Sequence, residues 1–219
     1  MEKTSCGECV SINYSSLLLT MKRAIDILIA SLALSVVSPV LLLVSLLVKK
    51  SSTGSVFYRG LRAGLDGNDF KIIKFRTMVE NAENLGGPTT GSNDPRVTKV
   101  GGFLRKTKLD ELPQLINVLV GDMSIVGPRP EVLEYTSQYT GEEKLILQMR
   151  PGITDYSSIE FADLDDRVGD SDPDLFFREH ILPRKNKLRV YYVKNWSLST
   201  DFLIILKTLN RVLKRVFFS

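Results

Sequence analysis

The sequence predicts an α-rich α/β fold standing on a membrane platform. Three observations carry that reading: a long apolar run near the N-terminus, two short strand-like segments around a turn, and later stretches with helical periodicity. With 219 residues the chain holds one domain, or one domain and a membrane-anchoring segment. Its 43% hydrophobic content excludes a disordered chain. A net charge of +4 points to an anionic partner, and nucleic acid, phosphorylated metabolites or acidic lipid headgroups would each satisfy it.

Residues 1–20 show no period of their own and read as an extension or a remnant foreign to the native chain, with Met21 the better start. Cys6, Cys9 and the single histidine, His180, cannot assemble a four-ligand zinc site. The Cys6/Cys9 pair also lacks the βαβ setting of a redox motif. Between Arg23 and Lys49 the run AIDILIASLALSVVSPVLLLVSLLV carries Asp26 as its only charge. At ~1.5 Å per residue it is long enough to cross a bilayer. A transmembrane helix fits this run, and so does a hairpin that returns to the same leaflet. Ser38-Pro39 favours a bend, and the flanks, Lys22 and Arg23 before and Lys49 and Lys50 after, are both basic, so they give no direction across the membrane. The hydroxyls of Ser35 and Ser38 are at hand for backbone groups freed by a bend.

In the soluble part, VFYRGLRAG and FKIIKFRTM flank Leu65-Asp66-Gly67-Asn68 and predict a strand, a turn and a strand. A Gly/Pro/Asn-rich stretch follows from Leu85 to Pro95. Leu109, Leu112, Leu115, Ile116 and Leu119 then keep helical spacing up to Gly121. SIVGPRPE is predicted as a proline-bounded loop, and helical patterns resume at Glu131 and from Phe176. In the tail, Phe202, Ile205, Leu206, Leu209, Val212, Leu213 and Val216 alternate with Lys207, Arg211, Lys214 and Arg215. This basic amphipathic helix suits an anionic headgroup layer or a place against the core.

The chemistry centres on Arg105-Lys106-Thr107-Lys108-Leu109-Asp110-Glu111, where two adjacent carboxylates stand among cations. Thr107 and Asp110 have capping-box spacing, so Asp110 has a purely architectural reading. The same helix start would favour an ionised carboxylate and attract phosphate, which makes Asp110 a candidate nucleophile. Lys71, Lys74, Arg76, Arg96, Arg129 and Arg150 are candidate anion ligands, each of which also reads as a solvated charge. Arg129 is the best of them, because prolines on both sides fix its backbone. The aspartates between 163 and 174 fail the calcium-loop spacing: counted from Asp170, the sixth and twelfth positions are Leu175 and Ile181. There is no nucleotide-binding glycine loop, and the basic residues lack the aromatic interleaving of a single-strand nucleic-acid binder.

FKIIKFRTM, DPRVTKVGGFLRKTKLDELPQLINVLVGDMSIVGPRPE and RPGIT, in that order, closely resemble the bacterial sugar transferases, the monotopic phosphoglycosyl transferases, from about Met21 to the C-terminus. The chain looks like the small form of that family, without the several transmembrane helices of longer members. The resemblance implies a nucleotide-sugar donor, usually a UDP-sugar, a polyprenyl phosphate acceptor, typically undecaprenyl phosphate, and magnesium held at Asp110 and Glu111. Asp110 would attack the phosphate attached to the sugar, UMP would leave, and the phosphosugar would stay on the enzyme until the lipid phosphate takes it. Glu111 would complete the dyad. Ser38-Pro39 would bend a re-entrant helix hairpin over residues 21–50. That would leave residues 51–219, a compact catalytic domain with interfacial amphipathic helices, on the cytoplasmic face of the bacterial inner membrane, in contact with its lipids. Lys74, Arg76 and Arg105 match positions near the phosphates, and Pro128-Arg129-Pro130 matches the nucleotide loop. Glu131, Arg150 and Arg167 are further substrate-binding candidates. No nucleic-acid partner is expected, and a homodimer stays open. After RPGIT, Asp155-Tyr156-Ser157-Ser158 departs from the commonest family pattern, so donor-sugar contacts are expected to differ there.

Overall fold

An apolar run with no polar face can only form a helix that offers side chains to lipid or protein all round, and this one forms α1 (Ser16–Ser51). The computed structural model describes residues 12, 14–87, 89, 94–162 and 173–217. By length and composition α1 can cross a membrane. Leu28, Leu32, Val36, Leu42, Leu43 and Leu46 all stand exposed along it. The helix starts before Met21. The preceding residues are stitched to the fold: the Tyr14 hydroxyl donates to the Val193 carbonyl at 2.6 Å and the Ile12 amide to Gln148 Oε1 at 3.1 Å.

The helix is continuous through Pro39, so a break into two separate arms is not displayed. Its contacts nevertheless fall in two zones. Lys22, Asp26 and Ala30 are buried in the first half and Val44 and Val48 in the second, while Ser38, Pro39 and Val40 are all exposed between them. Pro39 has no N–H to offer the Ser35 carbonyl, and the Ser38 hydroxyl donates to that carbonyl instead, at 3.0 Å. The basic N-terminal flank is drawn into the protein. Lys22 Nζ donates to Asp201 Oδ2 at 2.6 Å and to the Val126 carbonyl at 2.8 Å, and Arg23 donates to the carbonyls of Val118 and Leu119. These two cations therefore serve as anchors, and the flank argument loses half its basis.

The predicted hairpin is present. β1 (Phe57–Ala63) and β2 (Asp69–Phe75) pair antiparallel from Phe57↔Phe75 to Ala63↔Asp69. Asp66 and Gly67, with φ of 56° and 76°, make the turn between them. Alternation along β2 buries Phe70 and Ile72 against Ala30, Leu115, Val118 and Met123. The predicted helix from Leu109 is divided. α2 (Lys99–Thr107) ends at Lys108, a 3-10 turn covers Leu109–Glu111, and α3 (Gln114–Val120) ends on Gly121 at φ 100°. Lys108 is left-handed at φ 58°, which breaks the helix and sets the carboxylate pair on a turn of its own.

SIVGPRPE is not wholly loop. β3 (Ser124–Val126) pairs in parallel with β4 (Gly152–Thr154), a partner distant in sequence that local pattern does not disclose. The two backbones approach so closely that a Cβ on Gly152 would lie 2.0 Å from the Gly127 nitrogen. Gly152→Ala is expected to cost about 1–3 kcal/mol by forcing β4 away from the Gly127 turn. Thermal unfolding checks the loss.

The first helical pattern after Glu131 is short: α4 (Leu133–Thr136) and a 3-10 segment over Gly141–Gln148. α5 (Tyr156–Glu160) follows β4, and α6 (Pro173–Phe176) passes through a π-helical turn at Phe177–Ile181 into α7 (Leu182–Lys194). The main core gathers Leu145, Met149, Tyr192, Val193 and Ile204. The terminal helix is α8 (Leu198–Phe217). It buries Asp201 and Ile204 and exposes Phe202, Leu206, Leu209 and Leu213, so its apolar stripe is only partly covered by the core.

Candidate active site

Thr107 does not cap anything. Its hydroxyl bonds back to the Phe103 and Leu104 carbonyls, and the capping box that does form joins Thr140 and Glu143. The architectural reading of Asp110 therefore fails. Asp110 is buried, lines a large cavity, and has its Oδ1 shielded from solvent with no hydrogen-bond partner. Burial, and then the charge of Glu111, push its carboxyl up to about 6, against the pull of Lys74, Lys108 and Arg105.

Glu111 has the opposite environment. Burial would raise its carboxyl, but Arg129 and Lys74 hold it well below the usual range. Lys74 Nζ lies 3.1 Å from Glu111 Oε1, and Arg129 Nη2 donates to the same oxygen. Arg129 is itself fixed: its Nη1 donates to the Ile153 carbonyl at 2.9 Å and its backbone N–H to Asp155 Oδ2 at 3.1 Å. Adjacent carboxylates are thus held in different protonation regimes, one fixed as an anion and one poised near neutrality.

The cavity over the pair measures about 1290 Å³. Lys74, Arg76, Arg105 and Arg129, all candidate phosphate ligands by the family resemblance, line it. Arg76 donates through Nη2 to the Ser52 carbonyl at 2.9 Å, while its Nε and Nη1 are buried without a protein partner. Arg105 Nε donates to Thr77 Oγ1 at 2.9 Å. Pro128 accepts the Gly152 N–H at 3.0 Å, which holds the Pro128-Arg129-Pro130 turn against β4.

Two candidates sit elsewhere. Arg150 is not among the cavity residues; its Nε donates to the Gly121 carbonyl at 3.0 Å, capping α3. Glu131 turns away into a buried cluster with Lys185 at 3.2 Å and Arg189 at 2.6 Å, and these cations, working against burial, hold it at about 2. Arg167 lies outside the described residues. Arg150→Met is expected to lower stability by about 1–3 kcal/mol with donor KM unchanged, whereas Arg129→Met should raise donor KM. Melting curves paired with initial rates separate the two.

Sequence reasoning passed over Asp155, Gln114 and Lys185. Asp155 is fully buried and accepts from Ser157, Ser158 and Arg129; the only signal was that it broke the family pattern. Gln114, buried one turn after the pair, has neither amide atom partnered. No periodicity argument separates it from a core position.

The donor set suits magnesium in one way only. Among the described residues no group of three or more acidic, histidine or cysteine side chains is gathered, so a closed protein cage is not formed. A hard cation that takes one or two carboxylates and shares substrate phosphates does fit, and the unpartnered Asp110 oxygen is the observation that favours it.

A carboxylate pair held among fixed cations lies in a cleft walled partly by α1 and α8, an arrangement whose chemistry suits an anionic substrate. The comparisons narrow that reading: the family model for bacterial sugar transferases matches residues 17–215, and the chain belongs to that family of transferases. It is 41% identical to the exopolysaccharide production protein ExoY of Sinorhizobium fredii, over 87% of this chain and 84% of that protein. It is 42% identical to the UDP-glucose:undecaprenyl-phosphate glucose-1-phosphate transferase of Escherichia coli, over 86% of this chain and 39% of that protein. It is also 38% identical to the UDP-N-acetylgalactosamine-undecaprenyl-phosphate N-acetylgalactosaminephosphotransferase of Aeromonas hydrophila, over 88% and 44%. The chain therefore spans most of ExoY but less than half of the other two.

Proposed function

We propose that the protein transfers a sugar-1-phosphate from a UDP-sugar to undecaprenyl phosphate through a covalent phosphosugar on Asp110, with release of UMP. The observation that carries the proposal is the buried, unpartnered oxygen of Asp110 beside Glu111, which Lys74 and Arg129 hold as an anion. The names of the relatives support the substrates. A carboxylate oxygen of Asp110 attacks the phosphorus that bears the sugar. The bond from that phosphorus to the oxygen bridging toward the nucleotide breaks, and UMP departs with the bridging oxygen. A phosphate oxygen of the acceptor then attacks the same phosphorus and returns the carboxylate. Each step is an in-line displacement with the cations placed where charge develops. Arg76, two of whose guanidinium nitrogens have no protein partner among the described residues, lines the cavity together with Arg105 and Arg129. Magnesium, held by Asp110 and Glu111, would supply charge to offset the donor's phosphates.

We also read α1 as re-entrant, with both ends on the cytoplasmic face. Both of its contact zones lie on the catalytic domain, and Ser38, Pro39 and Val40 between them are exposed. The exposed apolar stripe of α8 supports placing that helix in the headgroup layer.

Product identification tests the reaction. Incubation with UDP-glucose, UDP-galactose or UDP-N-acetylgalactosamine and undecaprenyl phosphate should release UMP with at least one donor. Release of UDP would mean that the sugar moves without its phosphate, and the proposal would fall.

A further inference from the structure

The walls of the active cavity differ in chemistry. One carries Lys74, Arg76, Arg105 and Arg129. Elsewhere the lining comes from the two helices that also expose apolar surface outside: Ile29 and Ala33 of α1, and Ile205, Leu209 and Val212 of α8, with Thr208 and Arg211 as the polar members of that α8 face. Ile125 of β3 and Ile153 of β4 also line the cavity, and Ile153 is the residue whose carbonyl holds Arg129. The Lys22–Asp201 ion pair pins α1 to α8 two turns before Ile29 on one helix and one turn before Ile205 on the other. Beyond that pin the two helices jointly face the cavity.

On both helices the apolar surface continues from inside the cavity to the outside. Exposed Leu28 and Leu32 flank Ile29 and Ala33, and exposed Leu206 and Leu213 flank Leu209. A soluble nucleotide sugar has no use for such a wall. An isoprenoid phosphate does, because lifting its phosphate into a cleft walled only by charged groups would strip the first isoprene units of apolar surroundings, at a cost for each exposed methylene.

Resting on the function proposed above, we propose that the acceptor's isoprenoid chain enters the cavity sideways between α1 and α8, and that Ala33 and Ile205 line its path. The basic wall is left to the donor. The two substrates then use one phosphoryl centre from different sides, and the acceptor does not have to leave the bilayer. The residues on this path set affinity for the lipid substrate alone.

The test uses the full chain in bilayer nanodiscs, with undecaprenyl phosphate and whichever UDP-sugar supports turnover. Ala33→Phe narrows the path, and it should raise the KM for undecaprenyl phosphate about tenfold. Donor KM, and the burst of UMP formed without acceptor, should stay within about twofold. Ile205→Ala removes wall contact without adding bulk, guards against a misfolded first variant, and should raise acceptor KM about threefold. Leu28→Phe, on the outward side of α1, should leave acceptor KM at the wild-type value. If Ala33→Phe and Ile205→Ala both leave acceptor KM unchanged, or raise donor KM in step with it, the path is wrong. A wild-type protein that turns over but gives no UMP burst without acceptor would remove the covalent intermediate. It would leave the acceptor KM comparison readable, so the two failures are distinct.

Discussion

Asp110→Asn is expected to abolish transfer and, at neutral pH, to make the protein more stable. The variant keeps the shape of the side chain but has neither the negative charge nor the nucleophilic oxygen, so no phosphosugar should be trapped on the enzyme. The stability gain follows from linkage. A carboxyl pushed up to about 6 binds a proton more readily in the folded protein than in the unfolded chain. Stability from this group is therefore full below the ordinary carboxylate range, and it falls as pH rises through about 6. Above that pH the ionised Asp110 costs up to about 3 kcal/mol, which asparagine would remove. Melting temperatures measured at pH 4.5 and 7.5 should show the variant higher at the upper pH and its advantage reduced to roughly a third at the lower. The wild-type donor half-reaction should slow below about pH 6 as the nucleophile takes up its proton. Equal melting temperatures at pH 7.5 would show that Asp110 is not strained by burial.

Arg189→Met is expected to be the most damaging substitution outside the carboxylate pair. Arg189 is fully buried, donates to Glu131 at 2.6 Å and lies 3.8 Å from Asp155. Burial opposes its charge, but Glu131, and after it Tyr139 and Asp155, more than compensate, and its guanidinium is held above the ordinary value. Removing it leaves two carboxylates in the interior, with Lys185 still paired to Glu131 and, among the described residues, Asp155 without an ion-pair partner at that distance. The expected loss is about 3–5 kcal/mol, roughly 10 °C in melting temperature for a domain of this size. Since Asp155 also accepts the Arg129 N–H, activity should fall before the protein unfolds. Donor KM measured well below the melting temperature would reveal this. A melting temperature within a degree or two of wild type would show that the cluster carries little of the fold.

Much of the molecule was legible in the residues. The β1–β2 hairpin followed from a local turn between two strand-like segments, the end of α3 from a glycine, and the repair of the proline site from a serine beside it. Each of these depends on neighbours a few positions apart, where sequence pattern and geometry coincide. The β3–β4 pair was not legible, because its strands are three residues long and their partner lies more than twenty positions away. Arg150, Glu131 and Arg129 look alike as charges beside prolines or glycines. They separate only when the fold sends one to a helix end, one to a buried ion cluster and one to the cavity.

Taken alone, the sequence determined that the chain carries a long apolar helix, a basic amphipathic tail and a pair of adjacent carboxylates among cations, since composition, period and adjacency are properties of the chain itself. Only the tertiary structure decided that the two carboxylates differ. Asp110 is raised by burial and left without a partner, while Glu111 is fixed as an anion by Lys74 and Arg129, which arrive from β2 and from the turn after β3. The physical reason is that charge state in an interior depends on what is packed within a few ångströms, and those neighbours come from segments that no local pattern brings together.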